Sequence, residues 1–198
     1  MEIVYIHDHG AAESVVQVLR SGGVVMHPTE TCYGLAADVF NKEVLDKVYK
    51  IKQMSLDKPV SILVDSLEMA QKCGNFSEKA LELAKKYWPG PLSIVVQKSN
   101  FLPDFLNPGE KFVSIRFSDL PFCTEMVRLL GRPVTTTSAN RTGEPQLYEA
   151  DGGGLIGVDL VVDGGRIEKN KPSTIVKVDG DKVSILRQGD IFLENEVE

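Results

Sequence analysis

Val24-Val25-Met26-His27-Pro28-Thr29-Glu30-Thr31-Cys32-Tyr33-Gly34-Leu35 sets a short β-like run directly before a polar, glycine-marked stretch. Val24 to His27 reads as a buried strand, because a short apolar run bounded by turn residues suits a strand better than a helix, and Pro28 ends it. Thr29 to Leu35 is too polar for regular core structure and reads as a functional loop.

Outward from that strand the apolar period keeps changing. Upstream, Ile3 to Ile6 is a strand and Ala11 to Ser21 a helix stopped by Gly22-Gly23. Downstream, Asn41 is an N-cap for a helix from Lys42 to Lys52, whose Val44, Leu45, Val48, Tyr49 and Ile51 form one apolar stripe. Further strands read at Val60 to Val64, Leu92 to Gln97, Val113 to Phe117, Val134 to Thr137, Leu160 to Val162, Thr174 to Val178 and Val183 to Leu186. Helices read at Ser77 to Tyr87, closed by Pro89-Gly90-Pro91, and at Pro121 to Leu130, with proline in its first turn. Strands alternating with amphipathic helices imply a single α/β domain with a mixed sheet and flanking helices, over residues 1–189. A short acidic tail, 190–198, follows. Asn140 to Gly157, with Gly143, Pro145 and Gly152-Gly153-Gly154, reads as a flap.

The chain has 198 residues, 42% apolar, 25% charged and 7% aromatic, which suits a globular protein with a real core. Its 22 Lys and Arg against 28 Asp and Glu give a net charge of −6, which excludes a uniformly basic nucleic-acid coat. Asp190, Glu194, Glu196 and Glu198 supply four of those six excess charges, so a local cationic groove is compatible with the total. Cys32, Cys73 and Cys123 are widely spaced and odd in number, which points to a reducing cytoplasm. No secretory leader or membrane-spanning window is expected.

The common nucleotide signatures are missing: no G-x-x-x-x-G-K-[ST], no G-x-G-x-x-G opening a helix, no kinase set. With three histidines, two of them in His7-Asp8-His9, and no Cys/His cluster, a protein-built metal site is not expected. Mg²⁺ is expected only as the companion of ATP.

Several segments recur in a telling order: His27 to Leu35; Lys52-Gln53-Met54-Ser55-Leu56-Asp57-Lys58-Pro59-Val60; Trp88-Pro89-Gly90-Pro91-Leu92; Ser114-Ile115-Arg116-Phe117; and Thr136-Thr137-Ser138-Ala139-Asn140. Val162-Asp163-Gly164-Gly165, Pro172-Ser173-Thr174-Ile175 and Leu186-Arg187-Gln188-Gly189 continue the series. The ordered set resembles the YrdC/Sua5 family of threonylcarbamoyl-adenylate synthases, from about residue 11 to 189, in its short form without the Sua5 C-terminal domain.

That resemblance implies a twisted sheet with a concave basic groove, and the joining of L-threonine, bicarbonate and ATP into threonylcarbamoyl-AMP and pyrophosphate. The product serves the t⁶A modification of tRNA, so downstream t⁶A transfer proteins are expected partners, direct tRNA contact is a further expectation, and no membrane is involved. The family's K-x-R…S-x-N signature falls on Lys52, Ser138 and Asn140, with Met54 in the arginine position. The resemblance casts these three as catalytic. It assigns Thr29, Arg116 and Ser173 to L-threonine, and Lys52, Lys58, Ser138, Asn140 and Arg187 to the nucleotide, with Lys58 and Arg187 the cations that could replace the missing arginine.

Read without the family, Thr29 is a turn-stabilising hydroxyl and Arg116 a strand-end arginine, and Tyr33 and Trp88 are packing residues. Lys42 to Lys58 holds five lysines against Glu43, Asp46 and Asp57, which fits a solvated helix face as well as a phosphate-binding one. Two rival functions stand beside the synthase: an RNA-binding or ribosome-associated module that keeps the groove and has lost catalysis, and a carbamoyl-adenylate enzyme of the hydrogenase-maturation type.

Overall fold

The strand at the start of the decisive stretch, β2 (Val25–His27), is the middle strand of a five-stranded sheet. The computed structural model describes residues 2–150, 155–169 and 171–193. β2 lies parallel to β10 (Leu160–Asp163) and antiparallel to β3 (Gly34–Ala36). β1 (Glu2–Tyr5) joins the far side of β10 in parallel, and β9 (Thr137–Ser138) joins β3 antiparallel. This middle strand is apolar on both faces because both are covered. Val25, with Leu160 and Val162, packs against α1 (Ala11–Arg20) and α5 (Pro121–Leu130). Met26 and Val161 pack instead against α2 (Lys42–Ile51).

The second sheet has the path β12 (Lys182–Arg187), β11 (Thr174–Asp179), β6 (Leu92–Lys98), β7 (Phe112–Arg116), β4 (Ile62–Leu63) and β8 (Val134–Thr135), with β5 (Gly74–Asn75) paired to β6. Parallel pairs β11–β6 and β4–β7 alternate with antiparallel ones, so the pairing is mixed as expected, divided between two sheets. Its apolar face carries Leu92, Ile94, Val96, Val113, Ile115, Val176 and Val178, packed with Leu83 and Ala84 of α4 (Glu78–Tyr87) and with Ala70 and Cys73 of α3 (Leu67–Cys73).

Helix ends follow the side-chain chemistry. Asn41, Ser66 and Ser77 each accept from the third residue beyond them, capping α2, α3 and α4. Pro121 opens α5, and Gly131 at φ 78° closes it in the left-handed region. The stretch Val134 to Thr137, expected as one strand, is broken at Thr136: β8 pairs in the second sheet and β9 in the first. β3, α3 and β5 were not anticipated.

The expected flap is irregular but anchored where it is described. Thr142 N–H donates to Lys52 O at 2.8 Å, Tyr33 N–H to Leu147 O at 2.9 Å and Ile167 N–H to Tyr148 O at 2.8 Å. Gly152 to Gly154 lie outside the described residues. Of the acidic tail, Asp190–Leu193 lie against the domain: Asp190 N–H donates to Pro172 O at 3.1 Å, and Leu193 is buried in the apolar cluster. Residues 194–198 fall outside the described residues. Among the described residues no helix is long and apolar enough to cross a membrane.

Candidate active site

Strand alternation builds the site. In β7 Val113 and Ile115 face the core, so Ser114 and Arg116 face the other way. In β6 Leu92, Ile94 and Val96 are core, which turns Ser93 to the same side, opposite Arg116 in register. Ile175 of β11 pairs with Ser93. This open polar face is one wall of a pocket of about 210 Å³. The loop after β2 contributes Thr31 and Cys32, the segment after α2 Pro59 and Ser61, the β8–β9 crossing Thr136, Thr137 and Ser138, and the last strands Pro172, Ser173 and Arg187. Every motif segment except Trp88–Leu92 and Val162–Gly165 reaches it directly. Those two act from behind: the Trp88 indole donates to Leu92 O at 2.7 Å, and the Tyr33 hydroxyl donates to Gly165 O at 2.8 Å and accepts from Gly164 N–H at 3.0 Å.

Arg116 is buried at 6% exposure, its Nη2 donating to Glu30 at 2.7 Å and to the Thr31 hydroxyl at 2.9 Å, while its Nε has no partner in the protein. The other Glu30 oxygen accepts from Ser118. Arg116 is therefore already charge-balanced, with donor capacity left over. Thr29, expected against the substrate, instead shapes the loop. Its hydroxyl donates to Cys32 O at 2.7 Å and accepts from the Thr31 and Cys32 N–H groups at 3.2 Å each, so Thr31 and Cys32 line the pocket in its place.

Lys52 is 4% exposed and donates to Ser138 O at 2.5 Å and Asn140 O at 3.0 Å. Burial lowers its pKa to about 8. Two of its three donors are thus given to the backbone of the Ser-Ala-Asn turn. Ser138 lines the pocket; Asn140 does not, its amide donating to Arg141 O at 3.0 Å and Glu144 O at 2.7 Å while its Oδ1 is buried without a partner. Arg187 lines the pocket and holds Ser173, through Nε and Nη2 to its carbonyl at 3.0 and 2.8 Å and Nη2 to its hydroxyl at 2.8 Å. Lys58 is exposed beside Pro59 on the rim. Met54 packs against the apolar cluster of the second sheet.

Two lysines of the run are paired with acidic side chains. Lys42 pairs with Asp46 at 3.1 Å and Lys47 with Asp159 at 2.5 Å, and the cationic side chains at the pocket walls are Arg187 and Arg116, the latter paired with Glu30. Burial raises the Cys32 thiol above its usual value despite the nearby Arg116, which leaves it protonated and a poor nucleophile near neutral pH. Among the described residues no group of acidic, histidine and cysteine side chains could hold a metal ion. A wider depression of about 500 Å³ beside Gly74 to Ser77 and Gln97 has no cation in its lining, so it does not suit anionic substrates.

Sequence reasoning missed Thr31, Cys32, Ser61, Ser93 and Thr136. Ser93 was detectable, as the polar residue among Leu92, Ile94, Val95 and Val96 of its strand.

Comparison with known proteins places this arrangement. The family model for Sua5, YciO and YrdC proteins, described as telomere recombination, matches residues 17–189. A Methanocaldococcus jannaschii protein provisionally named threonylcarbamoyl-AMP synthase is 34% identical over 185 residues, 92% of this chain and 87% of that protein. The threonylcarbamoyl-AMP synthase of Bacillus subtilis is 33% identical over 188 residues, covering 89% of this chain and 53% of that protein. The crystal structure of Pyrococcus abyssi Sua5 complexed with L-threonine superposes with a TM-score of 0.88 at 26% identity, over 96% of this chain and 58% of that one. The chain thus spans about half the length of the Bacillus and Pyrococcus relatives.

Proposed function

The chain belongs to the Sua5/YciO/YrdC family, and on that premise we propose that it joins L-threonine, bicarbonate and ATP into threonylcarbamoyl-AMP, releasing pyrophosphate, the first step of t⁶A formation in tRNA. One observation carries the reading: segments scattered from Thr31 to Arg187 converge on a single small pocket whose cations and hydroxyls suit an amino acid and phosphate together.

The chemistry asks the protein for placement. The threonine amine and bicarbonate condense to a carbamate with loss of water. A carbamate oxygen then attacks the α-phosphorus and the bond to pyrophosphate breaks. The nucleophile comes from the substrate, so the buried, protonated Cys32 is not needed as one. What remains is to align several anions and stabilise charge that builds during transfer.

In this reading Arg116, with its free Nε, takes the threonine carboxylate together with Ser173, which Arg187 holds in place. Thr29 contributes through the loop it folds, presenting Thr31. Ser138 serves the nucleotide phosphates from the pocket wall, Asn140 and Lys58 from beside it, and Arg187 adds positive charge from the wall it shares with Ser173. Lys52 keeps the Ser138–Asn140 turn in register and offers its third donor to the reacting oxyanion. Mg²⁺ enters as the counter-ion of ATP. The product passes to t⁶A transfer proteins in the cytoplasm, with tRNA contact at the same cationic face.

The test is pyrophosphate release and adenylate formation from ATP and bicarbonate, with and without L-threonine. Threonine-dependent release supports the function. Release without threonine, or none from folded protein, overturns it.

A further inference from the structure

Three threonines follow one another at the crossing between the two sheets, and the structure accounts for only one of their hydroxyls by folding alone. Thr135 Oγ1 donates to Leu35 O at 2.7 Å, which ties β8 to β3. Thr137 lines the pocket, half-exposed. Thr136 also lines the pocket, is only 9% exposed, and its Oγ1 is buried with no hydrogen-bond partner. Its backbone is firmly placed, the N–H donating to Ser61 O at 2.8 Å. A hydroxyl in such a place weakens the empty protein, because it has given up water and received nothing in exchange. Valine would fill nearly the same space without that cost and would suit a strand equally well.

The same pocket contains a second buried group without a partner, the Nε of Arg116. The two differ in kind. Arg116 can only donate, which fits a carboxylate. A threonine hydroxyl both donates and accepts, which fits a neutral hydroxyl on the ligand. Pro172 and Ile175 in the same lining supply apolar surface for a methyl group. We propose that Thr136 is a specificity-determining residue that reads the side-chain hydroxyl of the amino-acid substrate, so that threonine is distinguished from its near-isostere valine. The proposal rests on the synthase reading and adds the residue that makes the amino-acid choice. A site built to bond a substrate hydroxyl rejects the analogue lacking it, because its own polar group is then left unpaired.

The experiment compares wild type, Thr136→Val and Thr136→Ser for pyrophosphate release with L-threonine and L-valine, alongside calorimetric binding of the two amino acids and thermal melting. Wild type is expected to prefer threonine. Thr136→Val is expected to lose at least about tenfold of that preference, a change of about 1.4 kcal/mol, by weaker threonine binding, while its melting temperature holds or rises. Thr136→Ser, which keeps the hydroxyl, retains most of the preference. Unchanged discrimination in Thr136→Val overturns the proposal, as does a wild type that binds valine as well as threonine. If wild type binds threonine selectively but releases no pyrophosphate, the synthase reading fails, and the binding data on Thr136→Val still decide the role of Thr136. Should Thr136→Val not fold, Thr136→Ala read by the same binding comparison takes its place.

Discussion

Lys52 and Ser138, 86 residues apart in the chain, are joined by a 2.5 Å hydrogen bond from the lysine ammonium to the serine carbonyl, with Asn140 O a second acceptor at 3.0 Å. The signature lysine and the signature Ser-x-Asn turn are therefore one structural unit. Lys52→Met would leave Asn140 O without its lysine donor, at roughly 1–3 kcal/mol where buried, would leave Ser138 O with only the Asn140 N–H at 3.0 Å, and would release the turn. We expect at least a hundredfold loss of pyrophosphate release and a lower melting temperature. The rate should also fall as pH rises past about 8, where Lys52 loses its charge. Stability moves the other way: the unfolded lysine keeps its proton to a higher pH, so raising pH above 8 relieves the burial penalty. A pH–rate profile and thermal melts at matched pH separate the two effects.

Most helices and the central strands were legible because their limits are written in local chemistry: Asn41 before α2, Pro121 opening α5, Pro28 ending β2. The division into two sheets was not. Thr135 and Thr137 look alike in sequence, and only long-range pairing, Thr135 with Ile62 and Thr137 with Leu35, puts them in different sheets. α3 has seven residues, too few to show a helical period, and β3 is a three-residue strand opened by a glycine. Most of the ordered motif segments meet at one pocket, which Thr31 lines and Thr29 does not, because Thr29 spends its hydroxyl on its own loop.

Asn107 is a support that no motif announces. It adopts φ 52°, which asparagine tolerates, and pairs with Val60 as a neighbouring strand would: Val60 N–H donates to its Oδ1 at 2.9 Å and its Nδ2 donates to Val60 O at 3.0 Å. The Tyr49 hydroxyl donates to Lys58 O at 3.1 Å from the same side. Together they fix Pro59, a pocket wall. Asn107→Ala should cost roughly 2–4 kcal/mol in urea unfolding and raise KM several-fold with a smaller change in kcat. Lower stability with KM unmoved would make Asn107 a purely structural residue.

His27 sets an acid limit on the fold. It is fully buried, with Nδ1–H donating to Pro28 O at 3.0 Å, and burial lowers its pKa to about 4. Between pH 6.5 and 4 the unfolded chain binds a proton that the folded chain refuses, so stability falls as pH falls through that window. The expected loss is about 2 kcal/mol from pH 7.5 to pH 5, read by urea unfolding. His27→Phe should remove most of that slope. A slope that persists in the variant would assign the acid sensitivity to other groups.

Met54 stands where the family signature has an arginine, and the structure gives that position to the core. Its backbone N–H donates to Tyr49 O at 3.0 Å, and its side chain packs with the apolar cluster under the second sheet. An arginine there would have to leave that cluster to put its charge in water or in the pocket. The pocket meanwhile has Arg116 and Arg187 in its walls, and the turn has Lys52. Met54→Arg is therefore expected to lower stability by roughly 1–3 kcal/mol and to leave pyrophosphate release unchanged or reduced. Released pyrophosphate and thermal melting, measured on the same preparation, decide it. A clear rise in rate would mean that a cation is missing from the site and that Arg116, Arg187 and Lys52 do not cover for it.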